Sequence, residues 1–168
     1  MEEINEVNLQ KLYPHFSSPD SSRFSELFKE ISEENKTESS KKYLIIPKRI
    51  IDGTEKRTSI IIKGIPSAFG CQNFYELLIH FSNDIRFFYI PAYAVNKWKY
   101  IYAFVSFVSQ KGVLNIFEGL STMRDKYKSY NGFDFSKIEI YFCKSQNING
   151  LIRKYQKDTY QSNFLVCK

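Results

Sequence analysis

The residues best suited to chemistry in this chain are rings and cations. Tyr102 and Phe104 stand two apart in an unbroken β-prone run at 100–108, YIYAFVSFV. Side chains alternate across a strand, so both rings leave on one face while Ala103, Val105 and Phe107 leave on the other. Flat π-surfaces presented this way suit stacking on planar bases, each contact worth roughly 1–3 kcal/mol. Lysines accompany them: Lys63 in the run at 58–65 (TSIIIKGI), and Lys97 and Lys99 just ahead of Tyr100, where ammonium groups can meet phosphate. Material for acid–base or nucleophilic catalysis is thin. His15 and His80 are the only histidines, and imidazole is the side chain that titrates near neutrality. His80 sits inside a helical stripe beside the core position Phe81. Cys71 lies near a helix start, where a thiolate is favoured, yet no base accompanies it. No GxxxxGK, HExxH or GxSxG pattern occurs. These residues point to binding, with no catalytic residue, no metal site and no cofactor.

Composition supports that direction. The chain has 168 residues, 43% of them hydrophobic and a quarter charged, which places it among globular proteins with room for one domain and an extension. Aromatics are in excess, with 15 Phe, 12 Tyr and one Trp; most must be core, and a surplus on a surface signals a ligand. Charge is unevenly spread. Residues 1–40 hold four basic and nine acidic side chains, a net of −5; residues 41–57 hold six and two, +4; residues 58–168 hold fourteen and seven, +7. The basic part coincides with the patterned part, and a basic domain attracts polyanions through counterion release. Three widely spaced cysteines, Cys71, Cys143 and Cys167, argue against a disulfide framework and for a reducing compartment. No leader pattern and no apolar run of about 18 residues is present, so the expectation is an intracellular protein, nuclear or cytoplasmic, with no membrane partner.

The elements that must position the rings follow from periodicity. A strand at 58–65 closes at Pro66. Phe74, Leu77, Leu78 and Phe81 then form a helical stripe. Strands are expected at 85–90 (IRFFYI), closed by Pro91, and at 100–108. A second helix starts after Ser109, a suitable N-cap, with Val113, Ile116, Phe117 and Leu120 inward. A loop over 121–135, carrying Arg124, Lys126 and Lys128 among tyrosines and the turn signal Asn131-Gly132, leads to a strand at 137–143 (KIEIYFC). Strand, helix, strand, strand, helix, strand is the split βαβ order of the ferredoxin-like superfold. The expected fold is α+β: a four-stranded antiparallel sheet, two helices on one face, the other face open, and a carboxy-terminal helical extension.

The third strand resembles the octameric motif of RNA recognition motifs, K/R-G-F/Y-G/A-F-V-x-F/Y, through Tyr102, Ala103, Phe104, Val105 and Phe107. The first strand supplies the partner hexamer at 60–65, with Ile60 and Ile62 inward and Ile61 and Lys63 outward. Tyr141 on the fourth strand shares the outward face. The second strand leaves two choices, Phe87 with Tyr89 or Phe88 with Ile90. A narrower resemblance is to the carboxy-terminal RNA recognition motif of the Mei-two-like family, through KGIP at 63–66, FFYIP at 87–91 and YAFVSF at 102–107. A pattern with Gln146, Leu151, Tyr155 and Gln156 follows the fourth strand in the same way. The resemblance spans residues 57–157 and implies single-stranded RNA binding in RNA regulation. It also has departures: Gly64 stands where the family has Asn, Ile61 where a stacking ring is usual, Ile101 where the octamer has glycine, and Tyr100 where it has a basic residue. Lys97 or Lys99 then substitutes for that lost phosphate contact.

The expected organisation is an acidic tail at 1–40, a basic linker at 41–56, the RNA recognition motif at 57–144, and a carboxy-terminal helix and tail at 145–168. Within the tail, Phe24, Leu27, Phe28 and Ile31 make a short amphipathic stripe, so residues 22–34 or the sheet face itself offer a surface to a protein partner. The candidate RNA-binding set is Tyr102, Phe104, Ile61, Lys63, Tyr141, Tyr89, Lys97, Lys99 and Tyr100. The alternative function is a protein-interaction module that keeps the fold, within a ribonucleoprotein or a ribosome-bound assembly.

Overall fold

The computed structural model describes residues 38–90, 98–127, 129–150, 153 and 164–166. The chain divides into two units, Met1–Ser40 and Lys41–Lys168, and the second carries the architecture below. The amphipathic stripe at 22–34, Lys97, Lys128, Leu151 and Tyr155 lie outside the described residues.

The elements are α1 (Pro47–Ile51), β1 (Ser59–Pro66), α2 (Cys71–Phe81), β2 (Ile85–Tyr89), β3 (Tyr100–Phe107), α3 (Gln110–Tyr127), β4 (Ser129–Tyr130), β5 (Phe133–Asp134), β6 (Glu139–Phe142) and β7 (Phe164–Val166). The main sheet has the order β6-β1-β3-β2-β7, and all its pairings are antiparallel. Its first four members reproduce the expected ferredoxin-like sheet, with β6 in the role of fourth strand. The fifth, β7, was not expected. Residues 148–150 and 153 are helical, but the chain then adds Phe164–Val166 to the outer edge of β2. That segment, FLV, is β-prone, and its pairing satisfies amides that an edge strand would leave open.

One face of the sheet carries the core. Ile60, Ile62 and Ile65 of β1, Phe88 and Ile90, and Ala103, Val105 and Phe107 pack against Phe74 and Leu78 of α2 and Val113, Ile116 and Leu120 of α3. Burying one such side chain stabilises the fold by about 1.5–3 kcal/mol. Two bulges keep these residues facing inward. In β1 the register slips between Ile62 and Ile65 at Gly64, whose φ is +75°, so that Ile60, Ile62 and Ile65 all turn to the helices. In β2 the slip lies between Ile85 and Phe87, so Ile85 and Phe88 share the helix face although three residues apart.

Two expected connectors are structured. Residues 41–56, read as a linker, contribute Ile45 and Ile50 to the core, and Leu44 bridges Tyr141 on β6. The expected loop at 121–135 is instead the end of α3 followed by a hairpin. Met123, three residues past Leu120, continues the apolar stripe and is buried. The β4–β5 hairpin turns through Asn131 and Gly132, both at positive φ, as the Asn-Gly signal implies, and Phe69 packs edge-on against Phe133 and Phe135 at 5.2 and 5.1 Å.

Gln146 ties the carboxy-terminal segment to the sheet. Its Oε1 accepts from the amides of Thr58 and Ser59 at 3.0 and 2.9 Å. Its Nε2 donates to the carbonyls of Ser59 and Cys143 at 2.9 and 2.8 Å. One side-chain amide thus does the work of a strand partner at the start of β1.

Candidate nucleic-acid interface

The face away from the helices is built from strand alternation and register. Ile61 pairs with Tyr141 on one side and Phe104 on the other, and Phe104 pairs with Tyr89. Tyr141, Ile61, Phe104 and Tyr89 therefore form one row across four strands. Tyr102 flanks this row on β3. Phe87 sits beside Ser106, and the Ser59 and Ser106 hydroxyls are hydrogen-bonded at 2.6 Å and buried. The choice left open for β2 is settled by packing: Phe88 and Ile90 belong to the helix-side core, with Phe88 against Tyr75 at 5.1 Å, and Phe87 and Tyr89 face the other way.

The rings interlock. Tyr89 and Phe104 are stacked with centroids 6.5 Å apart and planes 21° apart. Tyr102 meets Phe104 edge-on at 5.5 Å. The expectation of an open platform needs correction here: Tyr102 is 3% exposed, Phe104 8% and Tyr89 1%, while Phe87 and Ile61 are buried as well. The physical reason is the size of the apolar surface. Large aromatic side chains carry about 150–250 Å² each, and a contiguous patch of them in water is costly.

Exposure rises toward β6. Tyr141 is half-buried, its hydroxyl donates to Glu139 Oε2 at 3.3 Å, and Lys63 Nζ lies 5.3 Å from its ring centroid. Burial and the neighbouring Glu139 carboxylate push the Tyr141 hydroxyl above the ordinary phenol range, so it remains a neutral donor at physiological pH. Lys63 and Tyr141 thus combine a cation and a ring face. At the start of β3, Lys99 Nζ lies 5.5 Å from the Tyr100 ring centroid, and the Tyr100 hydroxyl donates to Asp134 Oδ2 at 3.2 Å. Desolvation first, then Asp134, raise the Tyr100 pKa. This second cation–ring pair is turned to the hairpin through Asp134, so the structure groups the candidates into a buried centre and two cationic ends.

Sequence reasoning left Phe87 open and missed Leu44 and the Gln146 clamp. The alternation in FFYI signals Phe87 only once the bulge is known. Leu44 had a signal in the β-prone run YLII, and Gln146 had none beyond its place in the family-like pattern. Groups with catalytic potential sit elsewhere and unassembled: burial pushes the Cys143 thiol up to about 12, and His80 is exposed on α2. Among the described residues, no group of three or more His, Cys, Asp or Glu is placed to hold a metal ion, and no helix is long and apolar enough to cross a membrane.

No protein-family model matches the chain. Similarity to known proteins is distant and consistent in kind. The chain is 24% identical over 156 residues to Protein MEI2-like 1 of Arabidopsis thaliana, covering 91% of this chain and 16% of that protein. It is 23% identical over 133 residues to Protein MEI2-like 2 of Oryza sativa subsp. japonica, 78% of this chain and 15% of the relative. Against Protein MEI2-like 5 of Arabidopsis thaliana it is 21% identical over 136 residues, 80% and 16%. The chain thus spans about a sixth of the length of these curated relatives, and what it has in common with them is a weak homology to MEI2-like proteins.

Proposed function

We propose that this protein binds single-stranded RNA on the sheet face opposite its helices, in RNA regulation. The observation that carries the reading is the in-register row Tyr141, Ile61, Phe104 and Tyr89 with Tyr102 beside it, edged by Lys63 over the Tyr141 ring. Tyr102 and Phe104 stack bases, Tyr89 and Ile61 widen the apolar platform, and Lys63, Lys99 and Lys97 meet phosphates. The distant likeness to MEI2-like proteins supports the same reading. Because Tyr102 and Phe104 are buried, RNA reaches their faces only in molecules in which the rings are exposed, which lowers apparent affinity by the fraction that are open.

The test is a titration of labelled single-stranded RNA with the parent and with Tyr102→Leu/Phe104→Leu. Leucine keeps much of the apolar bulk and removes the π-face, so it costs less stability than alanine at these sites, while two lost stacking contacts weaken binding by at least roughly 30-fold. Equal affinity of the two proteins defeats the proposal.

One observation favours a second reading, that of a protein-interaction module: the same rings are already withdrawn from water, as in a sheet used for packing. On that reading, a sequence-diverse RNA pool shows no saturable binding at physiological salt, and the Leu double variant loses a co-purifying protein instead.

A further inference from the structure

The transverse row does not stop at β6. Leu44 bridges Tyr141 in antiparallel fashion, and partners across an antiparallel bridge share a face. The row therefore reads Leu44, Tyr141, Ile61, Phe104, Tyr89 across the sheet. Exposure falls along it, from 45% at Leu44 through a half-buried Tyr141 to buried Ile61, Phe104 and Tyr89.

That end is held in place. Ile45 and Ile50, on either side of the α1 start, are in the core. Arg57 Nη1 donates to the Lys42 carbonyl at 3.0 Å, and the same guanidinium lies 4.1 Å from the ring centroid of Phe142 on β6. Lys41 and Lys42 occupy the last turn of a 3-10 helix, Glu38–Tyr43, and both are exposed. The two acids of the flanking segment 41–57 are engaged: Glu55 binds Arg57 through both oxygens at 2.8 and 2.6 Å, and Asp52 accepts from Thr54 at 2.7 Å. Glu139, the acid beside Tyr141, accepts that tyrosine's hydroxyl and pairs in register with Lys63. Among the described residues, neither Lys41 nor Lys42 is in an ion pair.

We propose that Lys41, Lys42 and Leu44 form an outer nucleotide subsite beyond the β6 edge, in which Leu44 and the Tyr141 ring hold a base and the two ammonium groups hold its phosphates. The inference rests on the RNA reading above and deepens it: the sheet-flanking segment is part of the RNA track.

The experiment compares two oligouridylates on the full chain, one long enough only to cross the sheet and one about three nucleotides longer, since sites of this kind accept about 4–16 nucleotides. The parent binds the longer RNA about 10-fold more tightly. Lys41→Gln/Lys42→Gln/Leu44→Ser reduces that advantage to less than about 3-fold and leaves affinity for the shorter RNA within about 2-fold. A matched variant, Lys56→Gln/Lys111→Gln, keeps the length advantage, which separates a subsite from general charge loss. Equal losses on both oligonucleotides, or a length advantage untouched by the triple variant, overturn the subsite while leaving the sheet reading standing. Saturable binding of neither RNA by the parent overturns both.

Discussion

The side chains that face away from the helices combine two properties that pull in opposite directions. Tyr102, Phe104 and Tyr89 offer π-faces suited to bases, and they are also buried at 3%, 8% and 1% exposure. Truncating either Tyr102 or Phe104 to alanine therefore costs stability, by about 3–5 kcal/mol for a large buried ring, and chemical denaturation of Phe104→Ala measures it. This is why leucine, not alanine, separates recognition from folding. The identity of these residues was legible from the octamer-like run; their burial was not, because alternation reports a side chain's face and says nothing of what lies over that face. A second residue-level prediction concerns pH. The Arg57 hydrogen bonds hold the Glu55 carboxyl down at about 2, against an ordinary 4.5. A folded-state pKa below the unfolded one gives stability that is complete above about pH 4.5 and is lost as pH falls toward about 2. After screening at this partly exposed site the effect is about 1 kcal/mol. Urea midpoints of the parent should converge on those of Glu55→Gln as pH is lowered through that window, and a constant gap between them contradicts the assignment.

At the scale of elements, each strand and helix of the ferredoxin-like order was legible, because strands alternate and helices repeat on different periods. What was illegible came from single-residue irregularities. The bulge between Ile85 and Phe87 breaks the alternation, so the sequence alone left two faces open for β2. The bulge at Gly64 is the sharper case. A Cβ there would sit 1.9 Å from the Lys137 carbonyl oxygen, and the backbone is at φ +75°. Gly64→Ala should destabilise the protein by more than about 2 kcal/mol, measured by thermal or urea unfolding; a neutral substitution means that the β1–β6 connection is looser than the geometry requires. Gln146 is equally specific. Replacing it with alanine strips partners from the Thr58 and Ser59 amides and the Ser59 and Cys143 carbonyls, a loss of about 2–4 kcal/mol at about 1 kcal/mol per net bond. Faster hydrogen exchange at the start of β1 is the accompanying signature. Residues 41–56 were read as a basic linker because their charge masked two core isoleucines, Ile45 and Ile50.

For the molecule as a whole, the formal charge of +6 gives attraction to any polyanion, so affinity alone does not identify the binding face. Salt dependence apportions it: each lysine that meets a phosphate contributes a slope of about −0.7 in log K against log salt on single strands. Lys63→Gln should flatten the slope by about that amount, whereas a lysine away from the RNA track should leave it unchanged. The most direct test of the sheet-face account is an NMR titration that follows the aromatic side-chain resonances as single-stranded RNA is added to the full chain. The account predicts upfield ring-current shifts at Tyr102, Phe104 and Tyr141, with Phe74 in the helix-side core undisturbed. Shifts confined to residues of α2 and α3, with those three rings unmoved at saturation, would contradict it.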